Sequence, residues 1–174
     1  MNWVEIIKDA LPDYAKDTRL NLDAVLLRSS LDPVVAEGCA LAAAVATGNG
    51  KIVSIILSAM SDGTEVTTKE RDAAMTAASI MAQNNIWYPY NEMVDNAFKG
   101  MSPGLRMNAI ASHGGTTKER FEAYSLAASI VGKCHFCVKS HFNTLKEAGY
   151  SLDQLKDIGR IASVINSVCK VLVG

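Results

Sequence analysis

An all-α fold, made of duplicated helical hairpin units in one compact domain, is predicted by three features of the sequence. Alanine, leucine and methionine are abundant, whereas aromatic residues make up only 6% of the chain. No sustained period-two alternation of β-branched residues occurs, which removes the main signal for strands. An internal repeat completes the case: Thr67-Thr68-Lys69-Glu70-Arg71 recurs as Thr116-Thr117-Lys118-Glu119-Arg120, and Ala77-Ala78-Ser79-Ile80 recurs as Ala127-Ala128-Ser129-Ile130. The offset passes from 49 to 50 between the two matches, so one residue was gained or lost between the copies.

The bulk numbers bound what such a fold does. With 174 residues, 49% hydrophobic and 20% charged, the chain is one globular domain of ordinary balance. A net charge of −1 and the lack of any basic cluster give no footprint for nucleic acid or for an anionic membrane. The longest unbroken apolar run, Cys39 to Ala46, is too short to span a bilayer. Charges are spaced through Met1 to Asp9, unlike a secretory leader, so a soluble cytoplasmic protein is expected.

Along the chain, Asp32-Pro33 reads as an N-cap with proline at the first helical position, and Gly48 closes that helix. Each Thr-x-x-Glu start of the repeat, Thr67 to Glu70 and Thr116 to Glu119, is expected to form a capping box, and the shared alanines to let helices approach closely. The copies cover about 67–99 and 116–148, separated by the turn-rich Gly100-Met101-Ser102-Pro103-Gly104. Gly132-Lys133 reads as a turn, Val138 to Lys146 as helix, and Ser151 to Gln154 as a capping box opening the last helix.

Comparison of the copies separates structure from chemistry. Cys134-His135-Phe136-Cys137 in the second copy stands where the first has Asn84-Asn85-Ile86-Trp87, and His141 stands where the first has Asn91 or Glu92. The motif is expected to occupy a first helical turn, where free amides and the macrodipole favour thiolate. Cys134, Cys137 and His141 then fall at i, i+3 and i+7 on one face, with His141 four residues after Cys137. Glu122, twelve residues before Cys134, lies on the preceding helix and can face His141 if the two helices run antiparallel. A carboxylate orienting an imidazole that handles a thiol proton is an arrangement that activates a nucleophile. Glu119 is the rival carboxylate, but its counterpart Glu70 exists in the copy without cysteines, which assigns it to capping.

Other readings of these residues stand beside this one. Cys134, Cys137 and His141, with His135 or Glu122, could supply four zinc ligands, although no second C-x-x-C accompanies them. A general dithiol–disulfide exchanger or a redox- or metal-sensing module would use the same pair. Cys39 and Cys169 read as small buried apolar residues, and the methionines as core filler. His113 reads as a loop residue, and Trp87, Tyr88 and Tyr90 either line an apolar entrance or pack between the copies.

The spacing of Glu122, Cys134-x-x-Cys137 and His141 resembles the alkylhydroperoxidase D family, within the carboxymuconolactone-decarboxylase-like proteins. Leu11 to Asp17 and Pro103 to Asn108 are similar to it as well, so the resemblance covers nearly the whole chain. It implies an all-α fold, commonly a homotrimer, that reduces organic hydroperoxides without a bound cofactor or metal. Cys137 then looks like the sulfur attacked by peroxide, Cys134 like the resolving thiol, and Glu122 and His141 like the proton relay. The resemblance further implies re-reduction by a dihydrolipoyl group on a dehydrogenase-complex subunit, with a peroxiredoxin as a further electron acceptor. Lactone decarboxylation, known in the wider group, is disfavoured because it has no use for a dithiol. The chain departs from some family members in placing Phe136, not histidine, immediately before the second cysteine. The helix start favours Cys134 as the more acidic thiol and the nearby His141 favours Cys137; only the resemblance separates them.

Overall fold

The computed structural model describes residues 2–60 and 65–173, apart from the side chains of Asn2, Glu65, Val66 and Thr67. All regular structure among these residues is helical. In chain order it comprises α1 (Asn2–Ala10), α2 (Lys16–Leu26), α3 (Pro33–Thr47), α4 (Gly50–Ala59), α5 (Glu65–Met93), α6 (Ala109–Ser112), α7 (Lys118–Gly132), α8 (His135–Glu147) and α9 (Leu152–Val171), with short 3-10 turns at Asp13–Ala15 and His113–Gly115.

Helices α3, α5 and α7 pack on one another at the centre, and α9 lies against α2, α3 and α7. Their shared surface is dominated by alanine. Ala42, Ala43 and Ala44 of α3, Ala73, Ala74 and Ala77 of α5, and Ala123, Ala127 and Ala128 of α7 have no exposed surface. Side chains this short let backbones approach closely, and the larger Leu41, Leu126, Ile158 and Ile161 fill the remaining space. Helix α1 closes the side of the bundle against α4, its Trp3 indole donating to Glu37 on α3 at 2.7 Å.

Local signals set several helix ends as expected. Asp32 caps α3 by accepting the Val34 amide, and Gly48 ends it in the left-handed region at φ 78°. Ser151 and Gln154 form the reciprocal capping box of α9. The repeat starts differ from expectation. Helix α5 already begins at Glu65, so Thr67 lies inside it, and the capping contact expected of its side chain lies outside the described residues. Helix α7 is capped by Thr117, which accepts the Arg120 amide, and not by Thr116. The 3-10 turn before it, with Gly114 and Gly115 at φ 61° and 92°, delivers Thr117 in extended conformation at the cap position. Glu119 is exposed on the first turn.

Thr116 and Glu70 meet each other instead. The Thr116 hydroxyl donates to Glu70 at 2.8 Å, Arg120 Nη1 at 2.6 Å and the Tyr124 hydroxyl at 2.5 Å. The shared starts of the two copies thus supply a buried polar tie between α5 and α7, beside the Thr117 cap of α7.

The copies also differ in where they turn. The second is a hairpin of α7 and α8, broken at Gly132-Lys133. In the first, α5 runs unbroken past Asn84 and Asn85 to Met93, and the turn comes only at 94–100. The first copy has no glycine where the second has Gly132, so no break is encoded there. Asn91, one of the counterparts of His141, organises the later turn by accepting the Phe98 amide at 3.2 Å.

Candidate active site

The turn between α7 and α8 places the cysteine pair. Lys133 adopts φ 55°, which ends α7, and the Lys133 and Cys134 amides donate to Ile130 and Ser129 carbonyls. Gly132 is required here by close approach. A Cβ on it would lie 2.1 Å from Asn85 Nδ2 on α5, which itself donates to the Ala128 carbonyl. Cys134 follows as the N-cap of α8, so the motif occupies the helix start as expected.

Cys134 and Cys137 are joined as a disulfide with their Cα atoms 5.3 Å apart. Cys134 is fully buried and Cys137 is 3% exposed. The Cys137 amide points at Cys134 Sγ at 3.2 Å, so a free helix amide is aimed at the first sulfur. Cys137 Sγ lies 3.8 Å from the Asn84 carbonyl, a contact that gains a hydrogen only when the pair is reduced.

Glu122 and His141 are brought together as the antiparallel hairpin requires. His141 Nδ1 is 2.6 Å from Glu122 Oε2, and both side chains are largely buried. The other ring nitrogen, Nε2, is 3.2 Å from the thioether sulfur of Met81 on α5. His141 follows Cys137 by one turn of α8, and its imidazole is held between Glu122 of α7 and Met81 of α5.

Phe136 points away from the relay. It is 57% exposed and stacks on Tyr88 with ring centroids 4.5 Å apart. His135 is exposed beside it. Both line a cavity of about 400 Å³ with Tyr88, Asn91, Glu92, Asn96 and Lys139. Trp87 instead stacks on Phe98 and meets Tyr90 edge-on, so of the three aromatics only Tyr88 borders the motif. His113 ends α6 at φ 50° and lies edge-on to Phe121.

The remaining cysteines are set apart from this chemistry. Cys39 and Cys169 are free and buried, and burial pushes both thiols up, Cys39 far above the usual thiol range. Among the described residues no group of three or more His, Cys, Asp or Glu side chains is arranged to hold a metal ion, and no helix is long and apolar enough to cross a membrane.

Met81 and the Asn84 carbonyl are the site neighbours that sequence reasoning missed. Met81 reads in the sequence as one more core methionine, and a backbone carbonyl carries no side-chain signal. Both belong to α5, so the first copy does more than support: it supplies atoms to the site.

Comparison with known proteins follows the same outline. Residues 98–173 match the carboxymuconolactone decarboxylase family. Over nearly its whole length the chain is similar to proteins named alkyl hydroperoxide reductase AhpD. It is 38% identical over 170 residues to that of Mycobacteroides abscessus, covering 97% of this chain and 95% of the relative. It is 40% identical over 174 residues to that of Coxiella burnetii, covering 98% and 97%. The relative from Rhodospirillum centenum is 40% identical over 170 residues, covering 97% and 90%.

Proposed function

The chain belongs to the carboxymuconolactone decarboxylase family, among its alkyl hydroperoxide reductase AhpD members, and from that premise we propose that it is a thiol peroxidase that reduces organic hydroperoxides. The observation that carries this reading is the buried Cys134–Cys137 pair at the start of α8, with His141 one turn further along that helix and held at 2.6 Å by Glu122 of α7.

In the reduced enzyme, Cys137 thiolate attacks the terminal oxygen of the hydroperoxide, the O–O bond breaks, and the alkoxide leaves as alcohol after taking a proton. His141, backed by Glu122, is the proton carrier for that step. Cys137 is now a sulfenic acid. Cys134 attacks its sulfur, water leaves, and the disulfide closes; the helix amide aimed at Cys134 favours the thiolate this step needs. An external dithiol then exchanges with the disulfide and restores both thiols. Cys137 is preferred as the attacked sulfur because it keeps some exposure while Cys134 has none, and because His141 follows it by one helical turn.

The reductant in this proposal is a dihydrolipoyl group on a dehydrogenase-complex subunit, with a peroxiredoxin as a further electron acceptor. The enzyme works in the cytoplasm as a homotrimer. No bound cofactor takes part.

The test is consumption of an organic hydroperoxide with dihydrolipoamide as reductant, comparing the native protein with Cys137→Ser. Turnover that vanishes in the variant supports both the activity and the assignment of Cys137. An intact dithiol that exchanges with disulfides but consumes no peroxide would make the protein a dithiol–disulfide exchanger instead.

A further inference from the structure

Both nitrogens of the His141 imidazole face acceptors. Nδ1 meets the Glu122 carboxylate and Nε2 meets Met81 Sδ at 3.2 Å. A thioether sulfur has lone pairs but no hydrogen to give, so this second contact is attractive only when Nε2 carries a hydrogen. Met81 is 1% exposed, held in the α5 face that packs on α7, so its sulfur is fixed where the ring needs it.

We propose that Met81 is a positioning residue for His141: its sulfur accepts the Nε2–H while the cysteines are joined, and yields that hydrogen to Cys137 when they are reduced. The proposal rests on the reading of His141 as the proton carrier of the cysteine pair. The disulfide sulfurs are uncharged and poor acceptors, so in the oxidised state a partly buried Nε2–H needs another partner, and leaving it unmade is costly.

Reduction changes the competition. An external dithiol gives two electrons to the Cys134–Cys137 bond and becomes a disulfide itself, while this protein is left with one thiol, one thiolate and a proton released. A thiolate at Cys137 lies one turn before His141 on the same face of α8. A bond from N–H to an ionised acceptor is about twice as strong as a neutral one, so the thiolate takes the hydrogen from the thioether. The weakness of sulfur as an acceptor is the useful property. A carbonyl in place of Met81 would hold the ring back, and a hydrocarbon would leave it without a partner in the oxidised state.

Two measurements test this, and neither uses peroxide, so they stand apart from the peroxidase assay. The first is nitrogen-15 NMR of histidine-labelled native protein. In the disulfide form Nε2 of His141 should show the shift of a protonated nitrogen, and reduction with dithiothreitol should move that resonance. An unprotonated Nε2 in the disulfide form overturns the proposal, whatever any variant does. The second is the thiol–disulfide equilibrium in glutathione buffers for the native protein, Met81→Leu and Met81→Gln. Met81→Leu keeps the volume and removes the acceptor, and should move the equilibrium toward the dithiol by roughly tenfold, or about 30 mV for a two-electron couple. Met81→Gln restores an acceptor and should bring the equilibrium back to the native value or beyond it toward the disulfide. A folded Met81→Leu variant with the native equilibrium and native His141 shifts would also overturn it. Native shifts as expected in a protein that shows no peroxide turnover would keep the role of Met81 and discard the peroxidase.

Discussion

Glu122 illustrates how one residue acquires meaning from its surroundings. On an exposed helix face it would be a solvated charge. Here it is 13% exposed and faces His141 Nδ1, where a carboxylate fixes the ring and supports positive charge on it. Replacing Glu122 by Gln keeps the shape and removes the charge. Peroxide turnover should fall about 10²- to 10⁴-fold, the usual worth of a positioned acid–base group, with helix content unchanged. Steady-state rates beside a far-UV spectrum check it; a variant as fast as the native protein would remove Glu122 from the relay. The rival Glu119 is exposed and forms no capping box, so Glu119→Gln serves as the control.

At the scale of elements, the α7–α8 hairpin depends on what α5 offers it. Gly132 leaves the space that the Asn85 side chain fills, and a methyl group there would overlap Asn85 Nδ2, Cγ and Cβ at 2.1, 2.5 and 2.8 Å. Gly132→Ala should cost about 1–3 kcal/mol in urea unfolding and also lower turnover, since the displaced atoms abut the cysteine turn. A variant as stable as the native protein would show that Asn85 swings clear at no cost. This dependence marks what was legible in the sequence. The hairpin, the motif at the start of α8 and the Glu122–His141 contact follow from local signals: a glycine, a helix period, a spacing of twelve. The Thr117 cap did not, because both adjacent threonines are extended and only the turn before them decides which hydroxyl meets the first helix amides while the other reaches Glu70. Nor did the unbroken run of α5 through Asn84 and Asn85, since a repeat in sequence reports common descent of the segments and not a common place to turn. Met81 was hidden for a different reason: a methionine that fills space and one that faces an imidazole look alike until the partner helix is in place.

For the whole molecule, the central question is what joins the three alanine-rich helices, whose small side chains give little shape to lock them in register. The Glu70 cluster answers it. Glu70 of α5 is 5% exposed and accepts from Thr116, Arg120 and Tyr124, while the Tyr124 ring lies against Gly38 of α3, where a Cβ would fall 2.2 Å from its Cε1. One tyrosine thus touches all three helices, and its ionisation should be felt globally. Burial first, then the hydrogen bond to the Glu70 carboxylate, raise the Tyr124 phenol far above its ordinary value of 10.0. The folded protein therefore keeps a proton that the unfolded chain releases near pH 10. The stabilisation is fully present below that pH and is lost as pH rises through the window above it, at up to about 1.4 kcal/mol per pH unit for each such group. Tyr150 and Cys39, also raised by burial, add to the same alkaline loss. Tyr124→Phe should be less stable than the native protein at pH 7 by about 1.5–3 kcal/mol, because it gives up a bond to a charged acceptor. It should also lose stability less steeply above pH 10, so that the two unfolding curves converge as pH rises, with the residual slope belonging to the other groups that burial raises, Tyr150, Cys39 and Cys169 among them. Urea unfolding from pH 7 to 11 measures both quantities. A constant gap between the two proteins across that range would mean that Tyr124 ionises as readily in the folded protein as in the unfolded chain, whereas no gap at pH 7 would mean that the tie between the helices is made by packing of the ring against Gly38 alone.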